Sequence, residues 1–370
     1  MSEPIADLRP LAFTALAGWS DAALAPTFRA FRRAAPIRLA RPPRTKALGI
    51  DGAALAAVAE AALKLPDTVD EATARAFFET RFTPLEVRPR AGEPFLTGYF
   101  EPELDGTRRA GDPRFPVPLL RRPDDLVDLD GATRPAGFDA AYAFARRTAD
   151  GLVPYFDRGE IEDGALADRG LELVFLPDLV EAFFVHVQGS ARIRLAEGGV
   201  MRLAYAGKAG HPYTSIGRLA IERGLIAADD MSLDVLRDRL KAHPAEARAL
   251  MRENRSYVFF AEQTGLDDAL GAVAASRVQL TPGISLAVDR TLHTFGVPIF
   301  LDAELPLGPD GAMIPFRRLM LAEDTGSAIV GPARGDVFVG CGAEAGRAAG
   351  RVRHAPKAFV VLAPKPEGAP

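Results

Sequence analysis

Phe316-Arg317-Arg318-Leu319-Met320-Leu321-Ala322-Glu323-Asp324-Thr325-Gly326-Ser327-Ala328-Ile329-Val330-Gly331-Pro332-Ala333-Arg334-Gly335-Asp336-Val337-Phe338-Val339-Gly340 reads as two strand-like runs, Phe316–Ala322 and Asp336–Gly340, joined by a turn rich in glycine. The same grammar recurs on either side, in Ile284–Val288, Val297–Ala303 and Ala358–Ala363. Only Ala343–Gly350 has helical spacing in this part of the chain. Many short strands with Gly and Pro turns point to a small barrel. Further upstream the pattern changes. Helical spacing covers Asp51–Leu65, Asp70–Phe82, Tyr213–Arg223, Ser232–Leu240 and Pro244–Glu253, with start signals at Thr214 or Ser215, at Ser232 and at Pro244, and Gly224 as a stop. Between them Val185–Leu195 alternates like a strand and pairs with Gly199–Ala206 through the turn Glu197-Gly198-Gly199. The Ala/Arg-rich opening and the Pro-rich tail after Ala363 are the low-complexity stretches, and no long repeat is present.

With 370 residues the chain is too long for one ordinary domain, and two are expected. At 48% hydrophobic and 25% charged residues it can bury a substantial core, which excludes wholesale disorder. Its net charge of −4, without a block of Lys and Arg, argues against nucleic acid as a partner. Cys341, the single cysteine, cannot form an intramolecular disulfide or a zinc site by itself. No apolar run reaches the roughly 18 residues of a membrane span. The opening Met1-Ser2-Glu3-Pro4 lacks the basic and apolar regions of a secretory signal, and no lipid-anchor cysteine is visible. A cytoplasmic protein, or one whose export segment lies outside this sequence, is expected on these grounds.

Several local patterns carry little. His186, His211, His243, His293 and His354 are scattered without metal-ligand spacing, so no metal site and no cofactor is expected. Gly340-Cys341-Gly342-Ala343-Glu344-Ala345 fits a dinucleotide loop, but no acidic residue follows at the required distance, since Glu367 alone comes after it. A tight strand-to-helix turn is the plainer reading, with Cys341 as a small filler. Gly283-Ile284-Ser285-Leu286-Ala287 misses the nucleophile elbow because a strand follows it where a helix is needed. Asp324-Thr325-Gly326 suits an aspartic protease only if a dimer supplies the second motif, because that mechanism needs two carboxylates sharing one proton. Asp324 and Asp336 could instead meet in a groove for glycosidic chemistry, which needs a carboxyl group raised in pKa to protonate the leaving oxygen. Turn aspartates remain the alternative, and spacing does not choose.

Longer motifs carry more. Phe95-Leu96-Thr97-Gly98-Tyr99-Phe100-Glu101-Pro102, Val187-Gln188-Gly189-Ser190, Tyr205-Ala206-Gly207-Lys208, Tyr213-Thr214-Ser215-Ile216-Gly217 and Asn254–Phe260 together resemble the membrane-bound lytic murein transglycosylase A family. The C-terminal part resembles its 3D domain, whose three aspartates fall on Asp289, Asp324 and Asp336. The resemblance runs from about Phe95 to Leu362.

This resemblance implies a mainly β protein with peripheral helices. A double-psi β-barrel would be built from residues 1–102, including a helical flank, and 256–370; residues 103–255 would form an inserted second β-rich, barrel-like domain, with a groove between the two. It implies a periplasmic lyase, outer-membrane associated in the family, that cleaves the β-1,4 bond between N-acetylmuramic acid and N-acetylglucosamine without water and leaves a 1,6-anhydro ring. By similarity Asp336 is the acid and then the base, Asp324 supports it, and Asp289 is structural. Thr97, Gly98, Tyr99, Gln188, Gly189, Ser190 and Lys208 fall on motif positions suited to glycan binding. The partners implied are peptidoglycan glycan strands and a cell-wall synthesis or division complex, with the chain itself a monomer. Ser327 and Val330 stand where the family often has Gly and Lys, and Gly335 where an aromatic is sometimes found. The rival readings are the dimeric protease centred on Asp324 and a glycan-binding barrel without activity.

Overall fold

The computed structural model describes residues 5–130 and 133–365. The opening Met1–Pro4 and the proline-rich tail from Pro366, with Glu367, lie outside the described residues. The chain forms two compact units, one comprising residues up to 100, 267–340 and from 344 on, the other 101–266 with 341–343.

The first unit is built on a nine-stranded mixed sheet. Its spatial order is Ala6–Pro10, Phe82–Pro89, Ala358–Pro364, Pro298–Leu305, Ile314–Asp324, Ser285–Val288, Arg334–Cys341, Phe95–Glu101 and Arg353–His354. All five strand-like runs read from the C-terminal sequence are strands here, and the helix expected at Ala343–Gly350 is Gly342–Arg351. Pro298–Leu305 is buried along nearly its whole length, which is why it reads as a continuous apolar run and not as an alternating one.

Helices on this unit start where carboxylates accept the unpaired N–H groups of the first turn. Asp51 accepts from Ala53 and Ala54 ahead of Gly52–Leu63, and Asp70 accepts from Thr73 ahead of Glu71–Arg81. Each such cap contributes about 1 kcal/mol. A third helix, Ala25–Ala40, is absent from the sequence reading, which treats this Ala/Arg-rich region as low complexity. Leu24, at its cap position, has no acceptor in its side chain. Glu71, at the start of another helix, accepts instead from Leu24 N at 2.7 Å and Ala25 N at 3.2 Å. Phe28 and Phe31 of this helix pack edge-to-face or tilted against Phe77, Phe78 and Phe82. All five rings are buried, each stabilising the fold by roughly 2–3 kcal/mol relative to exposure.

The second unit holds a four-stranded sheet, Val258–Gln263, Val200–Lys208, Ser190–Leu195 and Glu103–Gly106, beside a two-stranded and a three-stranded one. The hairpin expected across residues 197–199 forms between Ser190–Leu195 and Val200–Lys208. Val258–Gln263 pairs with Val200–Lys208, so this unit continues to Leu266, where the sequence reading places the return at Arg255.

One expected strand segment is corrected. Val185, Val187 and Gln188 belong to the helix Leu179–Gln188, and the strand starts only at Ser190. Ala182 and Val185 enter one apolar cluster while Val180, Phe183 and Phe184 enter another, so the helix is apolar on two sides and imitates an alternating strand. Gly189 stops it in the left-handed region at φ 77°, a conformation that glycine adopts without a Cβ penalty.

Candidate active site

Four adjacent strands of the first unit carry the aspartates and their partners. Ser285–Val288 is the hinge of the arrangement, because Ala287 pairs with Asp324 on one side, in parallel, and with Asp336 on the other, antiparallel. Residues in register across a sheet share a face, so both carboxylates flank the small Ala287 side chain. Two strand spacings put their Cα atoms about 10 Å apart. Beyond Arg334–Cys341 lies Phe95–Glu101. Period-two alternation sets Thr97 and Tyr99 on one face of that strand, and Arg334, Asp336 and Phe338 on one face of its neighbour.

Side-chain hydrogen bonds then join three of these strands, Phe95–Glu101, Arg334–Cys341 and Ile314–Asp324. Thr97 Oγ1 donates to Asp336 Oδ1 at 2.5 Å, and Arg334 Nη2 donates to Thr97 Oγ1 at 2.7 Å. Tyr99 reaches over to donate its hydroxyl to Asp324 Oδ2 at 3.1 Å, its ring 5.2 Å from that of Phe338. Ala275 N, from the loop before Ser285, donates to Asp324 Oδ1 at 3.1 Å.

Both aspartates keep part of their surface open, yet the surrounding protein displaces enough water to penalise their charged forms. Burial pushes Asp336 up to about 6, against the Thr97 hydrogen bond and the Arg334 charge, with the negative charge of Asp324 adding to the rise. Asp324 is also raised by burial, but three donors, from Ala275, Thr325 and Tyr99, oppose the rise. Tyr99 is held well above its ordinary value by burial and by the two carboxylates, so its hydroxyl remains a donor.

The neighbouring Glu323 points the other way. It is fully buried and faces Arg38 at 3.5 Å while accepting from Ser285 Oγ at 2.6 Å. Ser285 is thereby engaged as a buried hydrogen-bond donor and is not the exposed nucleophile of an elbow. Asp289 is also buried, and its oxygens accept from Thr291 N, Thr291 Oγ1 and Gly331 N, tying two turns together. Gly98 lies where the helix Gly342–Arg351 crosses the strand, and an added Cβ would come within 2.8 Å of Ala349 Cα and O.

Gln188, Gly189, Ser190 and Lys208 belong to the second unit: Gln188 and Gly189 end a helix, Ser190 opens the strand after it, and Lys208 closes the partner strand. Cys341, in the same unit, donates to Glu101 Oε2 at 3.3 Å, and burial together with that carboxylate pushes its thiol up to about 12. It is therefore no thiolate nucleophile at neutral pH. No grouping of three or more metal-ligating side chains occurs among the described residues.

The family model for the MltA specific insert domain matches residues 95–261, and that for the 3D domain matches residues 284–362. The crystal structure of a membrane-bound lytic murein transglycosylase from Agrobacterium tumefaciens superposes with a TM-score of 0.88 at 42% identity, covering 97% of this chain and 98% of the other. The chain belongs to the membrane-bound lytic murein transglycosylase A family. Escherichia coli MltA with bound chitohexaose is similar at 27% identity and a TM-score of 0.66, covering 99% of this chain and 94% of that one. Membrane-bound lytic murein transglycosylase A from Vibrio cholerae is 37% identical over 202 residues, a match that spans 53% of this chain and 53% of that relative's length. No helix among the described residues is long and apolar enough to cross a membrane.

Within this lytic transglycosylase family frame, Asp324, Asp336, Thr97 and Tyr99 are joined in one hydrogen-bonded face. Arg334 is the participant that sequence reasoning missed. It stands two residues before Asp336 on a strand, and that alternation was the available signal.

Proposed function

We propose that this chain is a peptidoglycan lytic transglycosylase that cleaves the β-1,4 bond between N-acetylmuramic acid and N-acetylglucosamine and leaves a 1,6-anhydro end. The observation that carries the proposal is the Asp336 carboxyl: partly open, raised to about 6, and held on a sheet face with Arg334, Thr97, Tyr99 and Asp324. Protonated Asp336 gives its proton to the glycosidic oxygen as the bond to the anomeric carbon breaks. The resulting carboxylate takes the proton of the muramoyl C6 hydroxyl, whose oxygen closes onto that same carbon. The internal hydroxyl replaces water and a second catalytic carboxylate, and its tethering supplies the proximity advantage of an intramolecular reaction. Burial raises Asp324 against its three donors, and the negative charge of its carboxylate form helps keep Asp336 protonated.

The first unit is the catalytic one in this proposal, with its strands arranged as a double-psi β-barrel. The second binds glycan through Gln188, Gly189, Ser190 and Lys208, with Thr97 and Tyr99 lining the catalytic side and Gly98, between them, leaving room for the helix Gly342–Arg351 on the opposite face. Asp289 is structural. Peptidoglycan strands are the partner, and the site of action is the periplasm; a place at the membrane is supported by the membrane-bound relatives from Vibrio cholerae and Agrobacterium tumefaciens. The chitohexaose held by the Escherichia coli relative supports a β-1,4-linked amino-sugar chain as the ligand. Asp324 and Asp336 do not make a protease dyad within one chain, since its oxygens must lie about 3 Å apart and the register sets these aspartates two strands from each other; the dimeric protease centred on Asp324 is separated by the products below.

Digestion of purified peptidoglycan followed by mass spectrometry tests the proposal. Anhydro-muropeptides are expected from the wild type and none from Asp336→Asn, which should still sediment with the insoluble glycan. Products heavier by one water would mean hydrolysis, and cleaved peptide bonds would mean the protease.

A further inference from the structure

Arg334 gives or takes no proton in the proposed reaction, yet it is the cation nearest the acid along the hydrogen-bond chain. Its guanidinium is donor-only. A threonine hydroxyl has one proton and two acceptor lone pairs. With Arg334 Nη2 donating to Thr97 Oγ1 at 2.7 Å, Asp336 Oδ1 at 2.5 Å is the acceptor within reach of the Thr97 proton. A Thr97 that places its proton there keeps Oδ1 an acceptor in both protonation states of the carboxyl. A carboxylic acid carries one proton on one oxygen, so the acid proton of Asp336 is left to Oδ2.

We infer that Arg334, acting through Thr97, is a positioning residue that selects Oδ2 of Asp336 as the oxygen that delivers and retrieves the proton. The inference rests on Asp336 being the acid and base of the proposed transglycosylase. Arg334 is itself anchored: its second nitrogen donates to the carbonyl of Gly335, and its guanidinium carbon lies 5.6 Å from the Phe95 ring centroid. Main-chain and aromatic contacts therefore hold the fork in place, and Thr97, on the adjacent strand, needs no substrate to be oriented. After proton transfer the same arrangement stabilises the carboxylate, through a hydroxyl donor polarised by a cation. A threonine without Arg334 would be free to turn its hydroxyl to another acceptor, and the acid proton would then be shared between the two oxygens.

The test compares Arg334→Ala, Thr97→Val, Thr97→Ser and the Arg334→Ala/Thr97→Val double variant in steady-state release of anhydro-muropeptides across pH. Each of the first two should lower kcat on the order of 10-fold with KM changed less than twofold, while Thr97→Ser restores the hydroxyl and most of the rate. The double variant should be no slower than the worse single one, because both break the same relay. The descending limb of the pH profile should move upward by about one unit in Arg334→Ala and in Thr97→Val, since each loses a group that favours the Asp336 carboxylate. Multiplicative losses in the double variant, a defect confined to KM, or an unmoved pH limb would each overturn the inference. A wild type that yields no anhydro product would instead overturn the proposed function, before any variant is compared.

Discussion

Asp336→Asn should stabilise the protein at alkaline pH, while abolishing its activity. The folded carboxyl titrates near 6 against 3.8 for the unconstrained side chain. A folded-state value above the unfolded one means that the native state prefers the protonated form. No penalty exists below about pH 4, where both states are protonated; it grows between 4 and 6 and is complete above 6. The difference corresponds to roughly 3 kcal/mol as an upper bound, and solvent on the open side of the carboxyl reduces it to about 1–3. Asparagine removes the charge and keeps an oxygen for Thr97 Oγ1, so the variant should exceed wild type by that amount at pH 8 and match it at pH 4. Urea unfolding is a suitable assay, because the single tryptophan, Trp19, is 3% exposed in the same unit and reports its core directly. Equal stability differences at the two pH values, or a variant weaker than wild type at pH 8, would refute the view that burial dominates this carboxyl.

Two further outcomes are expected, one at the site and one at a helix start. Asp324→Asn removes the negative charge that adds to the rise of Asp336, so the descending limb of the activity profile should move toward lower pH by less than one unit, and the rate should fall less than in Asp336→Asn; an alkaline displacement would contradict the assigned sign. Glu71→Ala removes the acceptor of Leu24 N and Ala25 N and should cost about 1–2 kcal/mol in the same urea assay, with Glu71→Gln recovering part of it; a loss below about 0.3 kcal/mol would show that water replaces the carboxylate.

Legibility of the fold tracks how local its causes are. Asp51, Asp70, Ser215 and Ser232 each cap the helix that immediately follows them, and those helices are visible in the sequence. The helix Ala25–Ala40 is invisible because its cap comes from Glu71, and because Pro36, which reads as a breaker, is accommodated inside it. Leu179–Gln188 is misread for another reason. Packed between two apolar clusters, it shows no polar face, so the usual 3.6-residue contrast is lost.

The site divides along the same line. Motifs bring Asp324, Asp336, Thr97 and Tyr99 to notice one by one, but twelve residues of spacing cannot show that Ala287 stands between the two aspartates. That fact depends on a strand from 285–288 inserting between its later partners, parallel to one and antiparallel to the other. The consequence is chemical as well as topological. Two carboxylates on adjacent strands would compete for one proton, whereas the intervening alanine keeps each with its own donors. Asp324 has backbone N–H groups and a phenol, and Asp336 a single hydroxyl backed by a cation. Replacing Ala287 by a larger residue would therefore crowd both carboxylates at once, since each pairs with it from its own side, and would disturb the acid without changing any residue that bonds to it.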